Sequence, residues 1–145
     1  MDSPAPLGFI GNTTTGIDAQ FFVPGRPIPQ GSLKFINGHA IHVRAQDLAL
    51  WRADIANEAR RSHPEKLQGA VSVGLHFVFH RPKSVKRAEP SIRPDLDKLI
   101  RAVLDGLTNV VYRDDEQVTQ LTSTKSYGEI QGVWITIFNR EKTLG

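Results

Sequence analysis

Apolar and polar positions along this chain repeat with legible periods, and the periods change where the elements change. Val71, Val73, Leu75, Phe77 and Phe79 alternate with Ser72, Gly74, His76, Val78 and His80, the pattern of a strand with one face on a core. Leu96, Leu99, Ile100, Val103, Leu104 and Leu107 instead follow the spacing of one helical face and predict a helix over Leu96–Thr108. An earlier helix is predicted from an Asp47 cap to Ser62, with Leu48, Trp51, Ile55 and Ala59 on its apolar side. Gln20–Val23 reads as a first strand ended by Pro24-Gly25-Arg26-Pro27. Leu33–Ile36 and His39–Val43 flank Asn37-Gly38, a strong hairpin signal. Closing strands are expected over Val118–Tyr127 and Val133–Phe138, joined by a turn at Gly128–Gly132. The order β-ββ-α-β-α-β-β predicts a single α+β domain, two helices packed on one mixed β-sheet with an N-terminal hairpin. Residues 1–19 show no period and are expected to be a flexible lead-in to a domain over residues 20–145.

Composition narrows the class. At 145 residues, 39% hydrophobic and 23% charged, the chain has the profile of an ordinary globular domain. It has no cysteine, which excludes a disulfide framework, a thiolate zinc site and a cysteine nucleophile. Its apolar runs fall short of the ~20 residues that span a bilayer, and no basic-then-apolar signal opens it, so a cytoplasmic protein without a membrane partner is expected.

The net charge of +3 becomes informative once it is located. Residues 81–94 hold Arg81, Lys83, Lys86, Arg87 and Arg93 against Glu89 alone, more charge than the whole chain nets. Pro82, Pro90 and Pro94 make this stretch an extended loop. By itself such a loop reads as a solvated surface; the aspartates immediately after it favour a phosphate-binding arm.

That loop runs into Arg93-Pro94-Asp95-Leu96-Asp97, and Asp114-Asp115 lies beyond the next helix. Pro94 sets Asp95 at the helix N-cap and Asp97 in the first turn. Asp97, Arg101 and Asp105 recur every fourth residue as a polar stripe. A plain reading makes these acids helix-dipole partners, an i,i+4 pair and a turn. The functional reading notes that hard divalent cations are held by carboxylates with water and phosphate oxygens. It also notes that the acidic clusters bound one helix–strand unit, which a chain reversal would bring together. Carboxylates beside a cationic arm are what metal-assisted attack on a phosphodiester requires. Other chemistries fit worse. The pairs His39/His42 and His76/His80 fall in predicted strands, where they read as surface or cross-strand residues rather than zinc ligands. No calcium-binding loop, phosphate-binding Gly-Lys loop or serine nucleophile elbow is present. Glycosyltransferases share Asp-x-Asp but need two lobes.

The run from Arg93 to Leu107, with Tyr112-Arg113-Asp114-Asp115-Glu116-Gln117-Val118 and then Lys125 and Tyr127, resembles the RusA family of Holliday junction resolvases. The resemblance is densest over residues 93–127 and looser over the N-terminal Pro-Gly-Arg-Pro and hairpin. It implies a small dimeric Mg²⁺-dependent endonuclease, with Mn²⁺ as substitute, of bacterial or phage origin, that cuts four-way DNA junctions in recombination and repair. By position it implies Asp95, Asp97 and Asp115 as catalytic metal-binding carboxylates, Asp114 and Lys125 as supporting residues, and Asp105 as either structural or a support to those ligands. Arg101 stands where the family has a lysine, and it keeps the charge without that residue's capacity for proton transfer. Lys98 replaces a family asparagine. On this reading Arg101 and Lys125 stabilise phosphate charge, while Lys34, Lys83, Lys86, Arg87, Arg93 and Lys98 hold the DNA backbone. Cutting two strands symmetrically calls for a homodimer, its interface expected on Phe21–Val23 or the hairpin. The alternative is a catalytically silent branched-DNA-binding module using the same basic surface.

Overall fold

The computed structural model describes residues 16–141 apart from 32, 38, 43, 44 and 64; for 33–36 and 39–42 only the backbone is considered. Four strands form one mixed sheet: β1 (Ile17–Pro24), β4 (Val71–Phe79), β5 (Val118–Tyr127) and β6 (Gly132–Asn139), in the order β1-β6-β4-β5. β6 runs antiparallel to both β1 and β4, whereas β4 and β5 are parallel from Val71↔Val118 to Phe79↔Tyr127. A separate hairpin pairs β2 (Leu33–Ile36) with β3 (His39–His42) across Asn37, whose φ of 52° suits the expected tight turn. Val43, expected to end that hairpin, lies outside the described residues.

Val71, Val73, Leu75 and Phe77 are fully buried, as their alternation predicts. The opposite face of β4 is covered as well, with Ser72 at 1% exposure and Val78 at 5%. β4 has a strand on each side, and its polar side chains are paired. Ser72 donates to Gln120 Oε1 at 2.9 Å, and His76 sits between the hydroxyls of Thr124 and Ser126.

Two helices cover the core face of the sheet: α1 (Ala45–Ser62) along β1 and α2 (Leu96–Leu107) along β5. α1 starts two residues before the expected cap, so Asp47 lies in its first turn, where its charge favours the helix dipole. Leu48, Trp51, Ile55 and Ala59 are buried against the stripe of Leu99, Ala102, Val103 and Leu107 and the sheet. The helices meet at Gly106, where an added Cβ would stand 3.0 Å from Ile55 Cγ2 and 3.3 Å from the Arg52 carbonyl oxygen. At the same crossing Arg52 forms a 3.1 Å ion pair with Asp105 and also donates to Gln30.

Two expectations are corrected at the N-terminal end. Ile17–Ala19 belong to β1, which starts earlier than its sequence pattern indicated; residues 1–15 lie outside the described residues. Phe21, Phe22 and Val23 are at most 8% exposed, packed by the chain's own core and by Trp134, so they are not left over for an interface. No helix among the described residues is long and apolar enough to cross a membrane.

Candidate active site

The β4–α2–β5 crossover dictates where the acids go. Two parallel strands require the chain to return along the sheet between them, and α2 makes that return. The start of α2 therefore sits beside the C-terminal ends of β4 and β5, and its end beside their N-termini. This places Asp95 and Asp97 at one end of the sheet and Asp114 and Asp115 at the other. The chain reversal expected to unite them does not occur, because β5 is parallel to β4. A helical rise of about 1.5 Å per residue separates Asp97 from Asp105 by about 12 Å, and Asp115 lies near Asp105. Among the described residues no three His, Asp or Glu side chains gather closely enough to hold a metal ion.

At the first end, Asp95 is the N-cap of α2 in extended conformation, and its carbonyl accepts from Leu99 N at 3.1 Å. Its carboxylate makes no capping hydrogen bond and lies 3.8 Å from Lys98 Nζ. Asp95, Asp97 and Arg101 are exposed, Arg101 one turn beyond Asp97 on the stripe the sequence indicated. Lys125 approaches from β5. Its ammonium donates to the carbonyls of Ile92 at 2.8 Å and Pro94 at 2.9 Å, pinning the segment that delivers Asp95. Lys125 thus spends two donors on backbone, where phosphate was the expected partner.

The acids at the other end do different work. Asp114 caps the short turn Asp115–Gln117: its carboxylate accepts from Glu116 N at 3.0 Å, while Gln117 Oε1 accepts from Asp114 N at 3.1 Å. Gln117 Nε2 in turn donates to the carbonyls of Leu67 and Gly69, which ties the turn to the entry of β4. Asp115 is exposed and uncommitted to this cap. Desolvation, the hydrogen bond with Asp114 and the charges of Asp114, Asp105 and Glu116 hold its carboxyl above the usual carboxylate range. Tyr112 is buried beneath, its hydroxyl donating to Leu104 O at 2.8 Å, and burial raises its pKa.

The basic loop folds back over the C-terminal ends of β4 and β5 and borders a half-open cavity of about 400 Å³. Arg87 Nη1 donates to the Tyr127 hydroxyl at 3.1 Å, and the Arg81 guanidinium lies 6.0 Å from that ring's centroid. Arg93 lines the cavity, while Lys83 and Lys86 are exposed on the loop and Lys98 is half-buried on α2. The Lys34 side chain lies outside the described residues. Sequence reasoning did not select Arg26, which the turn after β1 brings into this cavity. Its Pro-Gly-Arg-Pro setting was the available signal, since a turn that rigid fixes where its side chain goes.

Fold and site define an α+β domain with two exposed carboxylates at a helix start, fed by a cationic loop. The chain belongs to the RusA endodeoxyribonuclease family, whose model matches residues 24–138. It is 29% identical over 133 residues to the uncharacterized protein YqaN of Bacillus subtilis (strain 168), covering 81% of this chain and 94% of that one. It is also 27% identical over 135 residues to segregation and condensation protein B of Moorella thermoacetica, covering 93% of this chain and 66% of that protein.

Proposed function

We propose that this protein is a divalent-metal-dependent endonuclease that resolves four-way DNA junctions and acts as a homodimer. The observation that carries the reading is the uncapped Asp95 carboxylate, exposed beside Asp97 where the cationic loop enters α2. Two carboxylates open to solvent, completed by phosphate oxygens, are a fitting donor set for Mg²⁺, with Mn²⁺ as substitute. When bound, such an ion lowers the pKa of its water and offsets phosphate charge. Arg101 follows one turn later as a permanent cation that can hold phosphate oxygens but cannot shuttle a proton. Lys125 keeps the Ile92–Asp95 segment in place, and Arg87, Arg93, Lys83, Lys86 and Lys98 hold the DNA strand by its phosphates, without reading sequence.

The position of Asp115 supports the dimer. It shares the family motif with Asp95 and Asp97 yet stands at the far end of α2 in its own chain. A two-fold pairing with antiparallel α2 helices brings Asp115 of one chain toward Asp95 and Asp97 of the other, giving two equivalent sites for two symmetric cuts. The test uses a labelled four-way junction, wild type and Asp97→Asn, with and without Mg²⁺. Wild type cuts only with the metal, and Asp97→Asn binds the junction without cutting it. Cleavage by both proteins, or binding without cleavage by both, overturns the reading.

A further inference from the structure

The cavity under the basic loop has a chemistry that phosphate binding alone does not need. Phosphates are held by cations on an open surface, whereas this cavity is a half-open recess with apolar walls from Phe79, Val85 and Tyr127. Arg26, Arg87, Arg93 and Lys125 line it as well, and among the described residues no Asp or Glu does. Its volume of about 400 Å³ falls within the range of sites for small organic ligands, about 300–1,000 Å³. The Tyr127 ring is fixed in place, its hydroxyl accepting from Arg87 and the Arg81 guanidinium standing over it. A flat apolar body carrying an anionic group matches this lining.

Position narrows the ligand further. Pro94 lines the cavity and Asp95 is the next residue, so their Cα atoms are about 3.8 Å apart. An occupant of the cavity therefore sits next to any phosphate held at Asp95 and Asp97. We propose that the cavity receives a single unstacked nucleotide of the DNA strand, its base between the apolar walls and its phosphate against the arginines. The proposal rests on the reading of this protein as a junction endonuclease and adds how the substrate is held. A stacked duplex base cannot enter such a recess. A base at a branch point, where stacking between arms is interrupted, is extruded at lower cost. Contact with aromatic and arginine faces then offsets the stacking it gives up. The nucleotide beside the cut is thereby selected by shape, giving the enzyme a preference at one position.

The test places 2-aminopurine, whose fluorescence rises on unstacking, at successive positions around the branch point. Wild-type protein is added without metal, so that nothing is cut. Fluorescence rises at one position, next to the bond that is cut when Mg²⁺ is supplied. Val85→Leu and Val85→Phe fill the cavity in two steps. Val85 lies in an irregular loop, its N–H bonded to Pro82 O at 3.0 Å, where a larger side chain does not disturb the core. Both variants lower the signal, Phe more than Leu, and Phe slows single-turnover cleavage about tenfold, the effect of losing one base stack. A junction that is bound and cut with no change in fluorescence at any position overturns the proposal and leaves the nuclease reading standing. So does a Phe variant with wild-type signal and rate. A wild-type protein that neither binds nor cuts the junction removes the nuclease reading and this proposal together.

Discussion

Two aspartates at helix starts, Asp95 and Asp114, look alike in the sequence and differ in what their carboxylates do. Asp114 accepts a backbone N–H and closes a turn, whereas Asp95 makes no cap bond and remains open. A cap residue whose side chain is withheld from the cap forgoes about 1 kcal/mol of helix stability, a cost consistent with another role. Lys125 shows the converse. Family position suggested a phosphate partner, but its ammonium is engaged by the Ile92 and Pro94 carbonyls. Lys125→Met is accordingly expected to lower unfolding free energy by about 1–3 kcal/mol, by leaving those carbonyls unpaired. It should reduce single-turnover cleavage far more than junction affinity measured by anisotropy, with Lys125→Arg recovering part of the rate. Equal losses in affinity and rate would instead mark a phosphate contact. His76 supplies a pH-dependent term. Burial between Thr124 and Ser126 lowers its pKa from 6.5, so the unfolded chain binds the proton more readily than the native one. Its contribution is complete above 6.5 and is lost as the pH falls through the lowered native value. The urea midpoint of wild type relative to His76→Gln should therefore drop between about pH 7 and about pH 5; a constant difference would exclude it. The candidate acids and cations stood out in the sequence because carboxylate spacing and charge clustering are one-dimensional signals. The partners of Asp114 and Lys125 were not, since backbone carbonyls and N–H groups leave no trace in composition.

Elements were the most legible level, and their relative directions the least. Alternation over Val71–Phe79 and the helical spacing from Leu96 marked β4 and α2 almost to the residue, because one buried face imposes its period on the sequence. Nothing in either pattern says that β5 lies parallel to β4 rather than antiparallel, and that choice separates the acids to opposite ends of α2. The burial of both faces of β4 was likewise hidden, since Ser72, Gly74 and His76 read as a solvent face and become covered only when neighbouring strands flank them. Gly106 is a case where packing overrides propensity. In an isolated helix Gly→Ala gains about 1 kcal/mol. Here the new Cβ meets fully buried Ile55 and the backbone of Arg52, neither of which can yield cheaply. Gly106→Ala is therefore expected to destabilise by about 1–3 kcal/mol, read as a lower urea midpoint with an unchanged slope. A stabilised variant would mean that α1 and α2 separate without penalty.

Charge is divided along the molecule as α2 divides it. The cationic loop and its cavity lie at the end where Asp95 starts the helix, and the acidic turn of Asp114, Asp115 and Glu116 at the end where it stops. The modest total of +3 is the remainder of that separation. A chain built this way has complementary ends, and the proposed dimer, with its two-fold axis across α2, would set the acidic end of each copy against the cationic end of the other. The arrangement makes a prediction that a site confined to one chain does not. Asp97→Asn and Asp115→Asn are each inactive as homodimers, because both sites of each carry a defect. When the two proteins are mixed and allowed to exchange subunits, the heterodimer gathers both substitutions in one of its sites. Its other site, made of Asp95 and Asp97 from one chain and Asp115 from the other, is intact. Nicking of one strand of the junction should return on mixing while paired cuts remain absent, which a denaturing gel of end-labelled arms resolves directly. If each site were built within a chain, every site in the mixture would carry one substitution and no nicking would return.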